Sequence, residues 1–413
     1  MKIIRNYKAI TKLGLAYSGG LDTSTIIKWL SSKNIHISAY YADLGHDSKN
    51  RIIEIGNRAI NSGAKDFTVI DCKERLCYEG IKAVKSRAFN FITGTNKYYN
   101  TTPLGRVVTS IELTKKMISD GISVWCDGST YKGNDIERFF RYSYLVNSNI
   151  DYYKPWLDDS FINKFGGRKQ MSVFLKDNYS NVPFSIDSNI LGNTYEGNDI
   201  ENLKFDSTRI SFLLSGKISN NPSKIRLIKF KFIRGNIVSI NNMIVNNLSL
   251  FRILNKLCKT CYIGISDQVE ERITGVKSRG IYESPSMHIL HNVYDRAITC
   301  LYDQEYIANY NSNGYILGSN LYKGKWFDDL SNNIKNIGSQ TCNRINGTIT
   351  IKIINCNIFF IETKLKDTLY NKDLISMEKT KDSYFSGRDR IGQLNIIKNT
   401  VNRHRVNMEG RIV

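Results

Sequence analysis

The chain has 413 residues, 41% of them apolar, which suffices for two or three domains with sizeable cores. Its 58 basic against 38 acidic residues leave a net charge of +20, a balance that suits an anionic partner such as nucleic acid. The lysines are scattered, however, through a chain rich in Asn, Ile, Tyr and Phe with only 5 prolines, so the charge reads as the imprint of A and T rich codons rather than as a binding face.

The start, MKIIRNYKAITK, has no apolar core or small-residue cleavage site, and no apolar run reaches the roughly 18 residues that span a bilayer. A cytoplasmic location is expected. The 8 cysteines, without dense even spacing, fit reduced, buried thiols. Along the chain, LGLAY (13–17) reads as a strand that ends in SGGLDTS, and Ile26, Ile27 and Leu30 then mark a helix. Strands follow at 36–45 and 66–71 and helices at 48–61 and 73–88, then a helix at 106–121 and a strand at 122–129. This alternation predicts an α/β domain built on a doubly wound parallel sheet, with ligand loops after the strand ends.

Beyond about residue 160 the pattern changes, because 225–242 and 348–363 alternate as antiparallel strands do. We therefore expect an α/β domain over 1–165, a second, α+β domain over 166–400, and a short tail over 401–413 that is a short helix or loose.

SGGLDTS has the makings of an anion site. Gly19 and Gly20 let the backbone come close to a ligand, Ser18, Thr23 and Ser24 add hydroxyls, and a helix N-terminus offers free N–H groups. It fits neither GxxxxGK[ST] nor GxGxxG, and by itself such a stretch is as often a plain turn. The nonapeptide AYSGGLDTS resembles the pyrophosphate-binding loop of the ATP pyrophosphatase superfamily. YYNTTPLGR (98–106), DGSTYKGNDIERF (127–139), YKPWLDD (153–159), GGRKQMS (166–172), SIDSNILGNTYEGNDIE (185–201), SDQVEERITGVKSRGIYESP (266–285) and DRIGQL (389–394) narrow this to a resemblance to argininosuccinate synthase, in its bacterial long-form subgroup.

The resemblance implies conversion of ATP, L-citrulline and L-aspartate to argininosuccinate, AMP and diphosphate through a citrullyl adenylate. It implies Mg2+ held mainly by the ATP phosphates, with no metal site among the side chains. It places ATP on Ala16, Tyr17, Ser18, Gly19, Gly20, Leu21, Asp22, Thr23, Ser24, Ala42, Gly128, Thr130, Asp135 and Asp187. Citrulline falls to Tyr98, Asn134, Arg138, Ser185, Thr194, Glu196, Glu270 and Tyr282, and aspartate to Thr130, Asn134 and Asp135. The near-identical TYKGNDIE (130–137) and TYEGNDIE (194–201) have dissimilar flanks, so they read as two walls of one cavity rather than a repeat, and Asn198 and Asp199 match no binding position.

Blander readings exist for single residues. Asp135, Glu137 and Arg138 could be a helix-start ion-pair set, Tyr98 and Tyr282 core aromatics, and Glu270 a solvated acid. Cys258 and Cys261 form a CxxC, but His288 and His291 lie too far on for the usual zinc spacing. The chain departs from the family at KLCKTCYIG (256–264), at Tyr195 and Ile186 where the subgroup has His and Thr respectively, and in ending short of the family's C-terminal arm. The homotetramer implied by the resemblance is thus expected in a weakened form. An RNA-modifying relative sharing the SGG loop, such as a tRNA lysidine or thiouridine synthetase, would use the positive charge, but thiolation needs placed catalytic cysteines, and Cys72, Cys77 and Cys126 fall where buried thiols belong. A decayed synthase would show losses at contact positions, and every such position keeps a compatible residue.

Overall fold

A computed structural model of the chain describes residues 2–89, 91–93, 96–176, 184–216, 225–259, 261–354, 356–372, 374–375 and 386–406. Residues 407–413 of the expected tail, and Thr260 within KLCKTCYIG, lie outside them. The chain divides into two compact units, Met1–Lys366 and Asp367–Val413.

The first unit opens with strands β1 (Ile3–Ile4), β2 (Lys12–Ala16), β3 (His36–Asp43) and β4 (Asp66–Asp71), interleaved with helices α1 (Leu21–Ser31), α2 (Lys49–Asn61) and α3 (Lys73–Lys85). A small hairpin, β5 (Phe91–Thr93) and β6 (Asn96–Tyr98), precedes α4 (Thr102–Ser119), β7 (Val124–Asp127), α5 (Asp135–Val146), β8 (Asp151–Tyr153), α6 (Asp159–Lys164) and α7 (Arg168–Leu175). The sheet order β1-β8-β7-β2-β3-β4 is parallel throughout. Leu13, Gly14 and Leu15 of β2 are all buried, as in a parallel strand covered on both faces. Because β2 lies between β3 and β7, the carboxyl ends of these strands open one crevice, and Ala16 pairs with Asp127 at its floor.

Helix α4 begins ahead of the expected residue 106, with Pro103 in its first turn. Proline is tolerated there because the first-turn N–H groups have no partner inside the helix. Helix α7 packs on α1: Lys28 Nζ donates to the Phe174 carbonyl at 2.7 Å, and Met171 shares a core with Trp29 and Phe161.

The second half holds β9 (Ser185–Asn189), β10 (Gly192–Glu196), β11 (Arg226–Ile233), β12 (Asn236–Ile240), β13 (Met243–Ile244), α8 (Asn247–Cys258), β14 (Ile265–Glu271), β15 (Lys277–Glu283), α9 (Pro285–Leu301), α10 (Gln304–Tyr322), α11 (Asp329–Asn343), β16 (Gly347–Ile354) and β17 (Asn357–Leu365). Its strands form two antiparallel sheets, β14-β15-β10-β9 and β13-β12-β11-β16-β17. Strand β11 alternates as predicted, with Ile228, Phe230 and Phe232 buried and Lys229 and Lys231 exposed. The halves are knit together by α3: Trp326 Nε1 donates to Glu79 Oε2 at 3.0 Å, and Gly80 comes so close to Leu191 that an added Cβ would lie 3.0 Å from it. The chain is thus α/β in its first half and α+β in its second.

The second unit contains α12 (Gly387–Val406), a longer helix than the short or loose tail expected. On it Ile391, Leu394, Ile397 and Val401 are exposed, and helical spacing sets them along one side. Among the described residues no helix is long and apolar enough to cross a membrane.

Candidate active site

The chain leaves β2 through Tyr17 and turns into α1 by way of Gly19, which holds a φ of +76°. A Cβ there would also lie 3.0 Å from Ile55 Cγ1, so both conformation and space call for glycine. Gly20 caps α1 without a side-chain hydrogen bond, which leaves the first-turn N–H groups for an anion. The hydroxyls of Ser18 and Thr23 lie 3.3 Å apart beside this turn, while Ser24 turns inward to bond the Tyr17 hydroxyl at 3.0 Å. Arg58 donates to the Gly19 carbonyl at 3.0 Å and braces the loop from α2. Opposite, Gly128 approaches so closely that an added Cβ would meet Thr23 Cγ2 at 3.0 Å.

Two connected cavities open here. The first, about 320 Å³, is lined by Ala16, Tyr17, Ser18, Asp22, Thr23 and Ala42 from the β2 and β3 ends, with Leu44, His46, Thr109 and Phe139 beyond. The second, about 500 Å³, is more polar and takes in Thr130, Asn134, Arg138, Ser185, Thr194, Glu196, Glu270 and Tyr282. Both lie in the size range of small-molecule sites. Ser18, Asp22, Arg106, Gly128, Asp135 and Asp187 line both.

The wall of the second cavity is a product of strand register. Asp187 pairs with Thr194 and Thr194 with Tyr282, while Ser185 pairs with Glu196 and Glu196 with Gly280. Side chains alternate along strands, so these rows share one face. Gly280 makes room in it, for a Cβ would lie 2.6 Å from the Tyr282 hydroxyl. The alternation also resolves Tyr195, which is fully buried on the opposite face and donates to Glu283 Oε2 at 2.9 Å. Of the two departures in this segment, only Ile186 lines the cavities.

Arg106 of α4 stands at the junction. Its Nε donates to Asp135 Oδ2 at 2.9 Å and its Nη2 to Asp187 Oδ2, and its guanidinium lies 5.5 Å from the Phe139 ring centre. Burial works against ionisation of Asp135, but Arg106 and Arg138 outweigh it and hold that carboxyl below its ordinary value. Glu196 is exposed at the cavity wall, yet loss of water around its carboxyl together with the charges of Asp135 and Asp187 pushes it up to about 7. Burial likewise raises Asp22, which accepts a hydrogen bond from Trp156 Nε1 at 3.2 Å.

At the far end, Glu270 is 9% exposed and accepts the Tyr98 hydroxyl at 2.5 Å; the Tyr98 and Tyr282 rings are 4.8 Å apart. It is not the solvated acid of the bland reading. The i,i+3 pair of that reading does exist, with Arg138 Nη1 3.1 Å from Asp135 Oδ1, yet both members line the cavity. Arg138 Nε is committed to the Tyr322 carbonyl at 2.9 Å, and its buried Nη2 has no protein partner. That leftover donor suits a ligand carboxylate.

The structure therefore gathers nearly all the sequence-derived candidates. Leu21 and Ser24 serve the core beneath the loop, and Tyr98 lies behind the cavity wall, bonded to Glu270. Thr130 lines the second cavity and not the first. The twin stretches do wall one cavity, and Asn198 and Asp199 line neither, lying in a 3-10 turn over Asn198–Glu201. Arg106 was inside the quoted YYNTTPLGR, but nothing local separates it from an ordinary helix arginine. Arg272 likewise sat inside SDQVEERITGVKSRGIYESP (266–285) with no local sign of its place in the cavity wall, and Tyr322 was missed for lack of any nearby motif.

Among the described residues no group of three or more His, Cys, Asp and Glu could hold a metal ion. Cys72, Cys77 and Cys126 are buried, and burial pushes the first two thiols up to about 12, so neither is a thiolate at neutral pH. The Arginosuccinate synthase N-terminal HUP domain matches residues 12–173, and the Arginosuccinate synthase C-terminal domain matches residues 184–399. The first match carries the phosphate loop and Arg106, and the second carries the strands that wall the polar cavity; the chain belongs to the argininosuccinate synthase family, the ATP-using ligases that join citrulline to aspartate in arginine biosynthesis.

Proposed function

We propose that the two cavities are the nucleotide and amino-acid halves of one argininosuccinate synthase site, divided in the chain between a nucleotide-binding part through residue 165 and a synthetase part over 166–400. The observation that carries this reading is the shared lining: a phosphate-type loop and an Arg138-bearing polar pocket meet at Ser18, Arg106, Asp135 and Asp187.

In this reading ATP lies along Ala16–Ser24, with its base toward Ala42 and its phosphates on the α1 N-terminus, flanked by Gly128, Thr130, Asp135 and Asp187. Citrulline occupies the pocket of Tyr98, Asn134, Arg138, Ser185, Thr194, Glu196, Glu270 and Tyr282, and aspartate takes Thr130, Asn134 and Asp135. The ureido oxygen attacks the α-phosphorus, diphosphate leaves, and the aspartate amine then displaces AMP. Little covalent help is needed, since positioning and charge stabilisation lower such barriers. Arg106 is placed to offset charge that develops at the α-phosphate, while its two carboxylate partners keep it from collapsing onto either one. Glu196, poised near neutrality, can accept hydrogen bonds from the ureido group and exchange a proton as the amine attacks.

In this reading magnesium is carried mainly by the ATP triphosphate, whose charge it would neutralise. A cytoplasmic homo-oligomer, a tetramer by family resemblance, completes the proposal, and the exposed apolar side of α12 supports association. The test is mass spectrometry after mixing the protein with Mg-ATP, aspartate and citrulline carrying oxygen-18 on the ureido group. Citrulline-dependent label in AMP supports the adenylate path. Intact ATP with folded protein refutes it.

A further inference from the structure

Asn134, Arg138 and Arg141 recur at the spacing that puts residues on one side of a helix, and all three hold the turn after α10. Asn134 Nδ2 donates to the Tyr322 hydroxyl at 2.9 Å, Arg138 Nε to the Tyr322 carbonyl at 2.9 Å, and Arg141 Nε to the Gly324 carbonyl at 3.1 Å. Gly324, at a φ of +75°, brings the turn so near that a Cβ would sit 3.4 Å from Arg138 Cα. Arg138 also lies over the Tyr322 ring, 4.9 Å from its centre.

The direction of the hydrogen-bond chain follows from donor inventory. The Ile273 N–H donates to Asn134 Oδ1 at 2.8 Å, so it is the amide nitrogen of Asn134 that faces Tyr322. An amide nitrogen only donates. The Tyr322 hydroxyl must then spend its own hydrogen on Glu270 Oε1, 3.0 Å away, while the Tyr98 hydroxyl donates to the other carboxylate oxygen, Oε2. Glu270 is thereby held by two hydroxyls from distant parts of the chain, and one tyrosine sets three cavity-lining groups at once. Tyr322 itself, 8% exposed, is not among the described residues that line the cavity.

We infer that Tyr322 is a positioning residue for citrulline: its hydroxyl orients Asn134 and Glu270, and its carbonyl and ring aim Arg138. The inference rests on the citrulline-binding reading above. Tyr322→Phe removes the hydroxyl and keeps the ring and carbonyl, so the Arg138 contacts survive while the link from Asn134 to Glu270 is cut. A hydrogen bond to a charged group lost in this way corresponds to roughly a tenfold or greater weakening.

The experiment is steady-state AMP formation by the full chain, with each substrate varied in turn, for wild type, Tyr322→Phe, Tyr322→Leu and the exposed control Tyr315→Phe. The expected result is a citrulline KM raised about tenfold in Tyr322→Phe and further in Tyr322→Leu, with the ATP KM within about twofold of wild type. Because KM does not depend on the folded fraction, a destabilised variant still reports it. Unchanged citrulline KM in Tyr322→Phe, or equal rises in the KM of all three substrates, overturns the positioning role alone. Absence of citrulline-dependent AMP in the wild type overturns the functional reading and this inference with it.

Discussion

Replacing Arg106 by lysine keeps a positive charge at the junction of the cavities and removes the fork. The native guanidinium serves Asp135 through Nε at 2.9 Å and Asp187 through Nη1 and Nη2, a geometry that a single ammonium cannot reproduce. The side chains of Arg106, Asp135 and Asp187 are 19%, 27% and 20% exposed, so solvent screens the pairs only in part. One of the two carboxylates loses its charge-assisted bonds, at a cost of about 2 kcal/mol in stability. If Arg106 also meets the reacting α-phosphate, removal of one preorganised donor costs about 3 kcal/mol in the transition state, on the order of a hundredfold in kcat. The assay is steady-state AMP release with saturating citrulline and aspartate, run beside thermal unfolding of the same preparations. Arg106→Lys should show a melting point a few degrees lower and a kcat about a hundredfold lower. A lowered melting point with kcat within about threefold of wild type would refute the catalytic placement and leave Arg106 a strut between two aspartates.

The twin stretches separate by mutation: Asp135→Asn should abolish turnover, whereas Asp199→Asn should keep most of it, since Asp199 lines neither cavity; equal losses would contradict the two-wall reading. The Glu196 carboxyl, pushed up from 4.5 to about 7, should make citrulline bind better as pH rises from about 6 to about 8, because only the ionised form accepts from both ureido nitrogens, and Glu196→Gln should flatten that profile. Stability runs the other way. The folded state holds this proton more tightly than the unfolded chain does, so the penalty is absent below about pH 4.5 and complete above about pH 7. Glu196→Gln should accordingly raise the melting point more at about pH 8 than at about pH 5. Gly280→Ala puts a Cβ 2.6 Å from the Tyr282 hydroxyl, so a raised citrulline KM with an unchanged ATP KM is expected. Gly19→Ala forces alanine into a φ of +76°, which costs about 1 to 2 kcal/mol and should raise the ATP Kd in direct nucleotide titrations.

Much of this protein is written in short-range pattern. Apolar runs such as LGLAY, the helical spacing of Ile26, Ile27 and Leu30, and the alternation of IRLIKFKFI each fall within a few residues, because backbone periodicity decides which side chains share a face. SGGLDTS is legible for the same reason: a positive φ at Gly19 and a bare helix start are local requirements. Helix α12 runs longer than the short helix or loose tail expected of a polar sequence with only a thin apolar stripe, and α4 starts ahead of residue 106 because Pro103 fits its first turn.

The tertiary structure decided what no window of sequence contains. Arg106 reaches Asp187 from α4, and Tyr322 meets Glu270 and Asn134 from the end of α10. These pairings depend on how α4, α5 and α10 pack around the β14-β15-β10-β9 sheet. The same holds for Tyr195, whose departure from the subgroup is harmless to the cavity because register turns it to the other face, and for Glu270, whose exposure depends on the closeness of Tyr98. Local chain chemistry determined which elements form and where an anion could bind. Only long-range packing, which brings distant side chains within hydrogen-bond reach and removes water from between them, determined which charges meet and what each can do.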